Sequence, residues 1–225
     1  MFIKKRLWQK LIKAGLKEKD GLTIARTEDD ALIMHARHWL INADMKTVPK
    51  EYRAVIVEQV GDIPAKGEAW RAFAREERED IDINSAMGYW LMGKAGIFAH
   101  QYEATRFIAV GEIIIRVIRC QEEAEGRRNT VGVSEEVIEG IDVHLIDREY
   151  ETPPYEMMGL ASRGEPGIAW YNNCGMLMVE PVELPIGDEG IVGSIRLVMD
   201  WMQDTTLTMT VSEAKEAKEK GRDIE

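Results

Sequence analysis

Apolar and polar positions alternate with helical period from the start of the chain. Ile3, Leu7, Trp8, Leu11 and Ile12 fall on one side, while Arg6, Lys10, Lys13 and Lys17 follow one another at i, i+4, i+7 and i+11 on the other. Residues 1–20 therefore read as a basic amphipathic helix. After the Asp20-Gly21 turn, 22–26 has the length and composition of a short strand. Thr27-Glu28-Asp29-Asp30 then resembles a helix start, with a Thr cap and acids in the first turn. That predicts a helix through ALIMHARHWLI to about Ala43. Pro49 and Gly61 bracket PKEYRAVIVEQVG, which is helical by its ends although AVIV alone would pass for a strand. GEAWRAFAREERED places Trp70, Phe73 and Ala74 on one face of a further helical segment.

Ile83-Asn84-Ser85 opens an apolar segment predicted as a helix over about 85–104. The stretch 107–125 carries Val110, Ile113, Ile114, Val117 and Ile118 at helical spacing, with Glu112–Arg116 and Arg119–Glu123 as i, i+4 pairs. Ile113-Ile114-Ile115 is also a β-like run, which keeps a strand open there. Beyond Gly126 the character changes, because Pro153, Pro154, Pro166, Pro181 and Pro185 separate short apolar segments. Ser134 caps a short helix SEEVIEG, and 141–146 reads as a strand. The segments 167–171 and 176–182 flank Asn172-Asn173-Cys174-Gly175 as a hairpin. Asp188 caps a helix with Ile191, Ile195, Val198 and Met202 as its stripe. Strict alternation over 205–211 gives another strand, and Ser212 caps a last polar helix, EAKEAKEK.

The expected fold class is α+β, with a mostly helical N-terminal half and a smaller mixed C-terminal half containing a β-hairpin. The expected organisation is a basic amphipathic helix over 1–20, a helical region over 21–126, a mixed α/β region over 127–211, and a polar C-terminal helix and tail over 212–225. Trp39, Trp70, Trp90, Leu91, Ile114, Val117 and Val198 are the expected core.

Composition narrows the function classes. A hydrophobic content of 45% and a charged content of 31% exclude general disorder and fibrous repetition. A net charge of −11 and a pI near 5.0 disfavour a protein built mainly to coat nucleic acid. The charge is uneven: residues 1–20 hold seven basic side chains, and the remainder holds 22 basic against 38 acidic groups, a net of −16. Cys120 and Cys174 cannot make a disulfide framework, so a reducing compartment is expected. Lysines interrupt the apolar N-terminus, and the most apolar run, 86–99, is too short for a membrane span. A soluble, cytoplasmic protein is the expectation.

Few residues carry recognisable chemistry. No Walker loop, dinucleotide-binding glycine fingerprint or nucleophile elbow is present, and Cys174 has no basic neighbour in sequence to activate it. His35 and His38, with His100 and Glu103, could build a four-ligand metal site if both pairs lay on helices, but a surface or packing role fits them better. Arg163 lies in a glycine-containing polar loop close to Trp170 and Tyr171, a combination that can grip an anion or a planar ligand. These three are the candidate ligand-binding residues.

Acidic residues offer a second constellation. Glu122 and Glu123 close one predicted helix, and Glu136, Glu139 and Asp142 follow after a short loop, a pattern that could hold Mg²⁺. The stretch AVGEIIIRVIRC, with Glu139-x-x-Asp142 downstream, resembles the all-α nucleotide pyrophosphohydrolases of the MazG type. Their pattern pairs a Glu-Glu-x-x-Glu helix with a Glu-x-x-Asp helix. Here Glu122-Glu123 is followed by Ala124, Glu125 and Gly126, so the last carboxylate of the first motif is missing. The resemblance implies an all-α fold and a Mg-dependent nucleotide phosphohydrolase, and Mg²⁺ is expected only under that reading.

The leading reading is a binding or assembly protein with no evident catalytic site, associating with itself or with another protein. Its contact residues are Arg6, Leu7, Trp8, Lys10, Leu11, Lys13 and Lys17. Nucleic acid or an anionic membrane would be met only through residues 1–20. The phosphohydrolase is the alternative.

Overall fold

A computed structural model describes residues 1–74, 77–86, 97–110, 113–120, 130–142, 145, 155–158, 166–172 and 174–182. For 97–103, 106, 107, 109, 110, 119, 120, 130, 155–158 and 166 it describes the backbone alone. The chain divides into two compact units, one of Met1–Tyr102 with Glu139–Glu180 and one of Glu103–Ile138 with Pro181–Glu225.

The first unit begins with helix α1 (Lys5–Gly15), then strands β1 (Leu22–Arg26), β2 (Ala31–Ala36) and β3 (Trp39–Asp44), helix α2 (Lys50–Val60), and strands β4 (Glu68–Ala72) and β5 (Arg78–Asp80). Strand β6 (Ile97–Val110) runs in sequence from the first unit into the second, which adds β7 (Ile114–Cys120), β8 (Thr130–Ser134) and most of the short helix α3 (Glu135–Glu139). The chain then returns to the first unit with β9 (Tyr155–Met158), β10 (Pro166–Asn172) and β11 (Gly175–Val179). Within the first unit the sheet order is β5-β4-β1-β2-β3-β11-β10-β9-β6, and the described pairings are antiparallel. In the second unit β7 pairs antiparallel with β8, from Ile115 opposite Ser134 to Arg119 opposite Thr130.

The fold is α+β, but the described part of the N-terminal half is mainly strand, which overturns the expected helical half. The predicted helix over 27–43 is the β2–β3 hairpin. Thr27 does bond to a backbone amide as a cap would, but its Oγ1 accepts from the Ala31 N–H at 2.9 Å and closes the β1–β2 turn. Asp30 in that turn has φ of 75°, which ends the backbone's helical course. The Arg26 guanidinium, donating to Asp30 Oδ1 at 2.7 Å, holds that carboxyl below the usual range, and Lys66 adds to the effect. Leu32, Ile33 and Met34 are all fully buried in succession, so the sheet is covered on both faces and no polar alternation is left to read.

The same correction applies further along. Residues 68–72 form a strand held between β1 and β5, where cross-strand partners outweigh the helix propensity of Glu, Ala and Arg. Arg78 stacks over the Trp70 ring at 4.3 Å across that pair. The helix expected over 85–104 gives way to β6 from Ile97, a segment rich in aromatic and β-branched residues, while 83–86 are helical. In place of the helix expected over 107–125, β7 takes up the open strand reading of the isoleucine run. The all-α fold implied by the pyrophosphohydrolase resemblance is therefore overturned in the segment that carried it. Ile141 forms a single bridge to Ile3 and Leu145 a 3₁₀ turn, so the strand expected over 141–146 is absent at those described positions.

A helix forms within residues 1–20 but is shorter than expected, Lys5–Gly15, whereas α2 lies between Pro49 and Gly61 as expected, and Gly61 ends it with φ of 95°. The hairpin matches too, with Asn172 opposite Gly175 and a tighter loop than the four residues expected. Trp39, Trp70 and Val117 are buried and Ile114 half-buried. Trp90, Leu91, Val198 and the elements expected beyond Asp188 lie outside the described residues.

Candidate functional site

Helix α1 follows from its stripe. Leu7, Trp8, Leu11 and Ile12 are buried within the first unit, which fixes the helix to the body. Trp8 stands edge-on to Tyr52 of α2, with ring centroids 5.5 Å apart and planes at 76°. Its Nε1–H donates to the Tyr52 carbonyl at 3.2 Å, and the Tyr52 hydroxyl donates to the Ile3 carbonyl at 2.9 Å. Burial pushes the Tyr52 hydroxyl pKa up, with Glu51 adding to the effect. Gly15 lets the end of the helix approach the sheet, since a Cβ there would lie 3.1 Å from both Ala36 and Leu22 side chains. Gly140 does the same at Leu7, where a Cβ would come within 2.5 Å.

With the apolar stripe used internally, Arg6, Lys10, Lys13 and Lys17 are exposed along one ridge, flanked by Lys5 and Lys19. Glu18, just beyond the helix, accepts the Arg37 backbone N–H at Oε2 at 2.8 Å. Lys4 donates its Nζ to the Glu139 carbonyl at 2.7 Å. Lys4 sits at the N-cap without a side-chain cap, and no acid occupies the first turn. Lys4, Lys5 and Arg6 thus crowd the positive end of the helix dipole, where cations cost a few tenths of a kcal/mol or more each. The helix keeps charges that its own stability disfavours.

The other candidate residues are less concentrated. Trp170 and Tyr171 are successive residues of β10 and point to opposite faces of the sheet. Trp170 is buried, whereas Tyr171 packs against Leu40, Ala169, Met176 and Met178. Arg163, Glu122 and Glu123 lie outside the described residues. Glu136 and Asp142 are half-buried and Glu139 exposed, and among the described residues no three His, Cys, Asp or Glu side chains come together as a metal would need. The helical spacing of His35 and His38 is broken by the β2–β3 turn. His38 is exposed and contacts Glu180, and the side chains of His100 and Glu103 lie outside the described ones.

His35 instead joins a site that no sequence spacing announces. The register places His35 opposite Thr23 and Thr23 opposite Arg71, so three polar residues stand in one row across β2, β1 and β4. Below them the same face is apolar, with Ala25, Ile33 and Ala69 packed under Ala86 and the isoleucines of 81–86. Between the polar row and that covering segment lies a partly open pocket of about 280 Å³, lined on its other side by Ile81, Asp82, Ser85 and Ala86. Burial pushes the His35 imidazole down to about 4, Arg71 contributes, and a hydrogen bond with the Ala86 backbone opposes the shift. His35 is therefore neutral at pH 7. One signal was available in the sequence: a lone histidine interrupting the apolar run ALIMHA.

The sequence matches no known protein family profile and no curated protein. Among solved structures, the chain is similar to a DNA polymerase III subunit beta (DnaN) sliding clamp from Bartonella birtlesii, with 10% identity and a TM-score of 0.28. That alignment covers 84% of this chain and 66% of the clamp, so the chain spans somewhat less than two thirds of its length. A putative DNA polymerase III beta subunit from Eubacterium rectale aligns over 93% of this chain and 74% of its own, at 9% identity and a TM-score of 0.29. Both TM-scores fall below the level of a shared fold. Among the described residues, no helix is long and apolar enough to cross a membrane.

Proposed function

We propose that the chain is a binding and assembly protein whose contact surface is the basic ridge of α1, and that its partner is acidic protein surface, first of all another copy of itself. The observation that carries this is the ridge itself. Arg6, Lys10 and Lys13 are exposed on a helix already fixed by its buried stripe, with Lys17 exposed in the turn after it, so partner binding orders mainly side chains. Of the cations at the positive end of the dipole, Lys4 is held by the Glu139 carbonyl, while Lys5 and Arg6 are exposed, are not favoured by the helix itself and suit an acidic partner. The remaining 205 residues carry a net charge of −16, which supplies complementary surface on a second copy. The two-cysteine composition suits a reducing, cytoplasmic setting.

Light scattering coupled to size exclusion tests the reading. The wild type should run as an oligomer that dissociates as salt rises, because exposed charge pairs are screened within about 10 Å at 0.1 M. Lys10→Glu with Lys13→Glu should shift the equilibrium to monomer while leaving the melting temperature nearly unchanged. A monomer at every concentration, or an oligomer indifferent to both salt and charge reversal, would overturn self-association through this ridge. Loss of binding to anionic liposomes or DNA in the same variant, with the mass unchanged, would assign the ridge to those partners instead.

A further inference from the structure

We infer that the pocket between β1, β2, β4 and residues 81–86 binds a small zwitterion of the α-amino-acid class, with its carboxylate toward Arg71 and its ammonium toward Asp82.

A buried polar side chain gives up hydration, which applies here to Thr23 and the half-buried His35, whereas Arg71 keeps 41% of its side chain exposed beside Glu79. Thr23 is 4% exposed, yet no hydrophobic residue replaces it, although β1 is otherwise buried through Leu22, Ile24 and Ala25. Thr23, His35 and Arg71 descend into the cavity from three adjacent strands, which are rigid supports about 5 Å apart. Their alignment results from register, not from a flexible loop.

The chemistry of the lining selects the ligand. One cation, Arg71, and one anion, Asp82, line the pocket, so a ligand that carries both charges complements it better than a simple anion or a simple cation. Arg71 donates from Nη1 to Glu79 at 2.9 Å, which orients the guanidinium, and a guanidinium has further N–H groups for a carboxylate. Asp82 is held by Asn84, whose backbone N–H and Nδ2 donate to Oδ1 at 3.3 and 3.2 Å. A carboxylate has a second oxygen to offer an ammonium. Thr23 and Ser85 contribute hydroxyls that act as donor or acceptor, and His35 is an uncharged imidazole. Ile81 and Ala86 leave an apolar wall for a side chain. At about 280 Å³ the pocket is at the small end of ligand sites, which run from roughly 300 to 1,000 Å³, and its size suits a single small metabolite.

This site is separate from the α1 ridge, and its test does not depend on oligomerisation. The full chain is titrated by calorimetry and by NMR of the His35 ring and the Ala86 amide. The probes are individual L-α-amino acids, each compared with its decarboxylated amine and its desamino acid. At least one amino acid should bind and shift the His35 and Ala86 signals, and both truncated analogues should bind about tenfold or more weakly, as expected for losing one charged hydrogen bond. Arg71→Met should erase the advantage of the amino acid over the amine. Asp82→Asn should erase its advantage over the desamino acid. Both substituted side chains reach solvent, so the fold should survive, and Thr23→Val gives a shape-conserving third variant that should weaken binding of every probe.

Three results would overturn the inference. The first is that no amino acid binds at millimolar concentration. The second is that a truncated analogue binds as tightly as its parent. The third is that binding survives both Arg71→Met and Asp82→Asn unchanged.

Discussion

Trp8 and Tyr52 hold each other twice, by an edge-on ring contact at 5.5 Å and by a hydrogen bond from the indole N–H to the Tyr52 carbonyl. The Tyr52 hydroxyl reaches back to the Ile3 carbonyl, so α2 anchors the chain both before and within α1. The basic ridge inherits its rigidity from this pair. Trp8→Ala should destabilise the protein by about 3–5 kcal/mol, read as a lower urea midpoint. Tyr52→Phe should cost about 1 kcal/mol, because it removes one hydrogen bond and keeps the ring. The raised Tyr52 pKa adds a pH signature. Its neutral form is favoured in the folded state, so that contribution is complete below the unfolded pKa of about 10 and is lost as pH rises toward the folded value. Tyr52→Phe should abolish that component of the alkaline loss.

Gly140 faces Leu7 so closely that a Cβ would sit 2.5 Å from Cδ2 and 2.6 Å from Cβ of that leucine. Because one of those atoms is fixed to the helix backbone, rotating the leucine cannot relieve the contact. Gly140→Ala should destabilise by about 1–3 kcal/mol. Combining it with Leu7→Ala should cost less than the sum of the two single changes, as denaturant titration of the four proteins would reveal.

His35 sets an acid limit. Its folded pKa of about 4 lies below the unfolded value of about 6.5, so the unfolded chain binds the extra proton between them. The His35 contribution is complete above about pH 6.5 and is lost as pH falls toward 4. The loss reaches at most about 3 kcal/mol at 1.36 kcal/mol per pKa unit. Arg71 and Asp82 share its pocket, and the difference between the wild type and His35→Gln across this window isolates the histidine from them. A flatter acid limb is expected for the variant.

Arg116 and Glu135 form a mostly buried pair in the second unit. The guanidinium donates from Nε to Oε2 at 2.6 Å, engages Oε1 through Nη2, and donates from Nη1 to the Thr105 carbonyl at 3.1 Å. Removing one partner leaves the other charge buried, so Glu135→Gln or Arg116→Met should each cost about 3–5 kcal/mol. The double replacement should cost less than either single one, and thermal unfolding of the three variants checks the order.

What the sequence determined is local and one-sided. The stripe of Leu7, Trp8, Leu11 and Ile12 against Arg6, Lys10, Lys13 and Lys17 specified α1, because a helix with one wet face writes its period into the sequence. Pro49 and Gly61 likewise specified the ends of α2, and the Asn-rich turn specified the last hairpin. Tertiary structure decided the rest where both faces are dry. In β2, Leu32, Ile33 and Met34 are all buried, so hydrophobicity carries no period, and the Thr27 side chain serves a turn as readily as a helix cap. The pocket is further from sequence still. Thr23, His35, Arg71 and Asp82 come from four segments, and only the pairing of β2 with β1 and of β1 with β4, with residues 81–86 packed over that face, brings a cation, an anion and a neutral imidazole around one pocket. Strand register is a relation between distant segments, and no window along the chain contains it.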